Sequence, residues 1–131
     1  RSGTLVFYPT WFNKVGFEVI NPHRRKTRAG KQPIYYEVVP AGTKGKLHLL
    51  YAPFPGEFER DKVRPADFID DLVDSIRTLL ERYGISAKRT AGWGTARIDE
   101  WTGHTKASTQ SIPITKQDAE VFKTEMKRRI A

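Results

Sequence analysis

The chain has 131 residues, with 23 lysines and arginines against 15 aspartates and glutamates, and no cysteine. That length suits a single hydrophobic core, the lack of cysteine excludes disulfides and thiolate metal sites, and no apolar run is long enough to span a membrane. A net charge of +8 favours polyanionic partners, because basic surfaces gain affinity by displacing counterions from phosphates.

The chain opens on Arg-Ser-Gly rather than methionine, which reads as a chain that has been cut. "GTLVFYPTWF" (3–12) is rich in β-branched and aromatic residues and predicts a strand. Pro9 has no N–H for a ladder, so that strand is bulged or at an edge. "GFEVIN" (16–21) either prolongs it or forms a short separate piece. "NPHRRKTRAGKQP" (21–33) then crowds five cations between Arg24 and Lys31, with a proline on each side, and predicts an exposed loop. "IYYEVVP" (34–40) and "KLHLLYAPF" (46–54) are the next strands, separated by the turn-forming "AGTKG" (41–45). In the second, Leu47, Leu49 and Tyr51 share one face by the two-residue period.

The clearest element is the helix "PADFIDDLVDSIRTLLERYG" (65–84). Phe68, Ile69, Leu72, Val73, Ile76, Leu79, Leu80 and Tyr83 form one helical stripe. Pro65 suits the first turn, Asp67, Asp70 and Asp71 lie toward the positive end of the dipole, and Arg77 and Arg82 toward the negative end. Gly84 stops the helix. A glycine loop, "GISAKRTAGWG" (84–94), leads to "GTARIDEWT" (94–102), which alternates as a strand does. "ASTQS" (107–111) reads as a flexible stretch. The last helix, 116–130, is predicted to start from Thr115 as N-cap, with Asp118 completing a capping-box variant and a thin apolar stripe of Ala119, Phe122, Met126 and Ile130 beside Val121. The order of three strands, helix, strand and appended helix predicts an α+β fold. It corresponds to the later part of a β-α-β-β-α-β ferredoxin-like unit, the architecture of RNA recognition modules, without the first helix and with the first strand in question.

Two segments carry candidate chemistry. In the glycine loop, Gly92 and Gly94 flank Trp93 while Lys88 and Arg89 project from the approach. Glycines let backbone amides come close to phosphates and the cations add charge. The spacing matches neither a dinucleotide nor a P-loop fingerprint, and tight packing of a helix–strand turn accounts for the glycines equally well. In the basic loop, Arg24, Arg25, Lys26, Arg28 and Lys31 can track a phosphate backbone. His23 reads as a structural hydrogen-bonding residue; its alternative role is acid or base on a ribose hydroxyl. Asp70, Asp71 and Asp74 read as the polar face of the helix. Asp99 and Glu100 are too few for a metal site, so neither metal nor cofactor is expected. Of Trp11, Trp93 and Trp101, base stacking is the lesser expectation beside core or interface roles.

"YGISAKRTAGWGTARI" (83–98) resembles the C-terminal glycine-rich signature of the RAMP superfamily of CRISPR-associated proteins, a helix followed by "GIGAKTSAGYG" and a strand. Here Ser86 stands where the second glycine is usual. "VINPHRRKTRAGKQPIYYEVVPAGTKGKLHLL" (19–50) resembles more narrowly the RAMP subunit near the end of the Cmr (type III-B) effector backbone, in its Pro-His, polar loop, Pro-Ile and "VPxGT" order. The likeness spans residues 3–98. It implies a ferredoxin-like RAMP domain over 1–111, with 112–131 as a C-terminal helix. It also implies a cytoplasmic, non-catalytic antiviral-defence subunit that holds CRISPR RNA beside other RAMP subunits, with no membrane partner. His23, Arg24, Arg25, Lys26, Arg28, Lys31, Lys88, Arg89, Gly92, Trp93 and Gly94 would form its RNA surface. Target cleavage in other RAMP backbone subunits uses an aspartate in an early loop, which maps onto no aspartate here. The enzymatic alternative is a metal-independent RAMP endoribonuclease with His23 as acid or base and Lys26 or Arg28 steadying the transition state. A sheet without its first helix would leave apolar side chains of 35–39 and 47–51 uncovered. Such a sheet predicts either a homo-oligomer or a C-terminal helix folded back with Val121, Phe122 and Met126 over the gap.

Overall fold

A computed structural model of the chain describes residues 4–22, 32–53, 64–105 and 113–130. The chain is α+β and divides into two compact units, Arg1–Pro55 and Gly56–Ala131. No helix among the described residues is long and apolar enough to cross a membrane.

The first unit is built from two antiparallel strand pairs. Strand β1 (Leu5–Phe7) pairs with β4 (Leu49–Tyr51), Leu5 opposite Tyr51 and Phe7 opposite Leu49. β1 is shorter than the predicted 3–12: Tyr8 N–H still donates to His48 O at 3.0 Å, and Pro9, which has no N–H, ends the ladder. Of the predicted Leu47, Leu49 and Tyr51 alternation, Leu49 and Tyr51 are half-buried with Leu50 exposed between them. Leu47 is exposed and precedes β4, which is shorter than the predicted 46–54. "GFEVI" is a strand of its own, β2 (Gly16–Ile20), paired along its length with β3 (Ile34–Val38) from Gly16 opposite Val38 to Ile20 opposite Ile34. The predicted turn closes after β3, with Thr43 N–H donating to Pro40 O at 3.2 Å and Gly42 at φ +81°. No described residue of this unit is fully buried.

The second unit holds the packed core. Helix α1 (Pro65–Thr78) has Pro65 in its first turn, and Asp67 accepts the Arg64 N–H at 2.9 Å. It runs without interruption into a π-helical turn, Leu79–Tyr83, which Gly84 ends at φ +74°. The predicted helix is therefore present over its whole length. Of its stripe, Ile69 and Val73 are buried, whereas Leu79 and Tyr83 are exposed.

Strand β5 (Trp101–Gly103) pairs with β6 (Ile114–Lys116), and helix α2 (Ala119–Ile130) packs on both strands and on α1. Ile69, Val73, Ile114, Ala119, Phe122 and Met126 make the core, with Trp101 and Ile130 packed against it. Burying each large apolar side chain contributes about 1.5–3 kcal/mol. Trp101 stacks on Phe122 with ring centroids 5.7 Å apart. Gly103 lies beneath α2 so closely that a Cβ there would run into the Met126 sulfur.

In this unit two predicted boundaries change. The strand expected over 94–102 forms only at its end. Before it, Ala96 N–H donates to Leu80 O at 2.8 Å and Ile98 N–H to Glu81 Oε1 at 3.3 Å, so these amides bond back to the π turn instead of a ladder. Thr115 is not a helix cap. It lies in β6, opposite Thr102, where pairing and the burial of Ile114 favour an extended backbone. The cap is Asp118, whose Oδ1 accepts the Val121 N–H at 2.9 Å. Phe122 and Met126 pack against the core of their own unit, and Val121 stays exposed.

Candidate nucleic-acid interface

The glycine loop is a closed loop whose two ends touch. Ile85 N–H donates to Gly94 O at 2.9 Å. A Cβ on Gly84 would meet Gly94 C and Trp93 O at 2.9 Å, and one on Gly94 would meet Ile85 O at 2.5 Å and Ser86 Cβ at 2.6 Å. Both glycines have positive φ, +74° and +82°, in the left-handed region that a Cβ disfavours. The crossing therefore requires glycine twice, for space and for backbone angle.

Inside the loop, Ser86 Oγ accepts the Lys88 N–H at 3.2 Å. Lys88 O accepts from Ala91 at 3.1 Å and Trp93 at 3.3 Å, and Arg89 O accepts from Gly92 at 2.9 Å around a short 3₁₀ turn, Arg89–Ala91. The amides of Gly92 and Trp93 are thus occupied within the loop. Any grip on phosphate falls to side chains. Lys88 Nζ stands 5.8 Å from the Trp93 ring centroid, a cation–π geometry. Trp93 is half-buried beside it and Arg89 is exposed, with no carboxylate partner among the described residues. Gly92, at φ +80°, has open space around it. Lys88, Arg89, Gly92, Trp93 and Gly94 therefore share one small surface.

His23, Arg24, Arg25, Lys26, Arg28 and Lys31 lie outside the described residues. Their place in the sequence still matters for charge. The first unit, Arg1–Pro55, carries nine lysines and arginines against two glutamates, whereas Gly56–Ala131 carries fourteen against thirteen carboxylates. Nearly the whole positive surplus belongs to the first unit.

In the second unit, charges are used internally. Asp70 and Asp74, one helical turn apart on α1, meet Lys127 and Lys123 of α2, each pair at 2.8 Å. Because the earlier aspartate meets the later lysine, the helices run antiparallel. Lys123 also reaches Glu120 at 2.8 Å, and its side chain is only 8 % exposed. Hydrogen bonds to Asp74 and then Glu120 raise the Lys123 pKa above its ordinary value, and the bond from Lys123 holds Asp74 below its own. Asp70 and Asp74 are thus an interhelical seam rather than a solvated face. The matching i, i+4 spacing of Lys123 and Lys127 was the signal for it in the sequence.

An open depression of about 610 Å³ along α1 is lined by Asp71, Asp74, Ser75, Thr78, Leu79 and Tyr83. Its two carboxylates disfavour phosphate. Among the described residues no group of three or more His, Cys, Asp or Glu could hold a metal ion. Trp101 belongs to the core, and Trp11 is exposed. Neither a protein-family model, nor a curated protein, nor a solved structure matches this chain.

Proposed function

We propose that this chain is a non-catalytic, CRISPR RNA-binding RAMP subunit of a type III interference complex, acting by capture of the RNA backbone. The observation that carries the reading is the Gly84–Gly94 crossing. It closes a loop that presents Lys88, Arg89 and Trp93 together directly after a long helix. Helix, glycine loop and strand follow in the order of the RAMP signature, although six residues of irregular chain separate loop and strand. The surplus charge supports the same reading, since counterion release favours binding to phosphate whatever the base sequence. The basic loop with His23 would add phosphate contacts, and sheet and helix edges would dock neighbouring subunits.

The test is the affinity for labelled single-stranded RNA across a salt series. Affinity should fall steeply with salt, and Lys88→Ala or Arg89→Ala should each lower the slope by about one. RNA incubated without metal should stay intact. A salt-insensitive affinity refutes backbone capture, and cleavage that disappears in His23→Ala would make the chain an endoribonuclease instead.

A further inference from the structure

The β2–β3 ribbon carries an aromatic face that no packing within its unit buries. Its register places Val19 opposite Tyr35 and Phe17 opposite Glu37, and side chains two residues apart on a strand share a face. Phe17, Val19, Tyr35 and Glu37 therefore lie on one side of the ribbon. There Phe17 is 70 % and Tyr35 72 % exposed. The two rings are diagonal neighbours on adjacent strands, a separation of about 7–8 Å between their attachment points. Exposed aromatic rings on adjacent strands suit unstacked bases, which lie flat on such rings in a sequence-tolerant way.

Resting on the RNA reading above, we infer that this face is a stacking platform for two bases of a single-stranded RNA, with Phe17 and Tyr35 as its two rings. Charge selects that occupant over a protein. The face belongs to the unit whose sequence carries nine cations and two carboxylates, a surplus that favours a polyanion. Those two carboxylates are Glu18 and Glu37, both on this ribbon, and only Glu37 lies on the aromatic face. Glu37 repels phosphate and accepts hydrogen bonds from the amino groups of bases. The strand accordingly lies with bases over the face and its backbone away from Glu37; Lys14, Lys44 and Lys46 are exposed cations of the same unit. This site is separate from the glycine loop in the sequence and acts by ring faces, not charge.

The experiment compares a labelled oligouridine with an abasic oligonucleotide of the same phosphate number, by fluorescence anisotropy at fixed salt. The full chain is used as wild type, Phe17→Leu, Tyr35→Leu and the double variant. Leucine keeps the face apolar and removes the ring; circular dichroism checks the fold. Each ring should contribute about tenfold to oligouridine affinity, so the double variant should lose about a hundredfold there and nothing on the abasic strand. Equal affinity of all variants for oligouridine, or an equal loss on both strands, refutes the platform while leaving backbone capture intact. A wild-type chain that binds neither strand overturns both readings. Variants that bind RNA normally but change sedimentation show that a protein, or a second copy, covers the face instead.

Discussion

Replacing Gly94 with alanine should damage this protein far more than replacing Gly92, although both glycines flank the same tryptophan at nearly the same φ, +82° and +80°. The left-handed conformation costs any L-residue about 1–2 kcal/mol, and that cost is common to both. At Gly92 nothing lies within 4 Å of the new Cβ, so Gly92→Ala should stop at about 1 kcal/mol. At Gly94 the Cβ would stand 2.5 Å from Ile85 O and 2.7 Å from Ile85 C, backbone atoms on the other side of the crossing. They cannot yield as a flexible side chain does, and overpacking of this kind adds about 1–3 kcal/mol. Gly94→Ala should therefore lose about 3 kcal/mol. For a unit of this size, about 4–8 °C of melting temperature follow each kcal/mol. Thermal melts at 222 nm should show Gly92→Ala lowered by about 5 °C and Gly94→Ala by at least twice that. Gly94→Ala should also lose RNA affinity beyond Gly92→Ala, because opening the crossing separates Lys88 from Trp93. Equal melting temperatures for the two variants would show that the loop ends do not touch in solution, and the closed-loop reasoning would fail.

Lys127→Ala, in a half-exposed pair with Asp70, should cost about 0.5 kcal/mol, whereas Lys123→Ala should lower the melting temperature several times more, since it removes a nearly buried cation from Glu120 and leaves Asp74 only the longer contact with Arg77 at 3.7 Å; chemical denaturation of the two variants measures the order. The Asp74–Lys123 bond should stabilise the fold fully between the ordinary aspartate value of 3.8 and the ordinary lysine value of 10.5. Its contribution is lost as pH falls through the depressed Asp74 pKa, and again as pH rises through the raised Lys123 pKa. The gap in melting temperature between wild type and Asp74→Asn should then be flat at neutral pH and close in acid. Phe122→Ala should remove the stacking partner of Trp101 and cost about 3–5 kcal/mol, read by urea titration of tryptophan fluorescence. Normal stability in that variant would mean that α2 does not pack on the β5–β6 pair.

By itself the sequence determined the elements whose information is local. The long helix was legible from eight apolar positions at helical spacing, Pro65 at its start and Gly84 at its end, because periodicity and capping need only neighbouring residues. The α+β class and the strand predicted over 34–40, which forms as Ile34–Val38, were legible for the same reason, as was the apolar stripe of the last helix. Tertiary structure decided what depends on partners far away in the chain. Ile114 and Thr115 are extended because Gly103 and Thr102 lie opposite them, and that moves the helix start to Asp118. Residues 95–100 leave the ladder because Leu80 and Glu81 take the Ala96 and Ile98 amides. Asp70 and Asp74 read as a solvated face until Lys127 and Lys123, more than forty residues later, are placed against them. At the glycine loop the sequence showed which residues stand together but left open why Gly84 and Gly94 are glycine. Only the contact between the loop's two ends, within 3 Å of each absent Cβ, makes that choice a steric necessity.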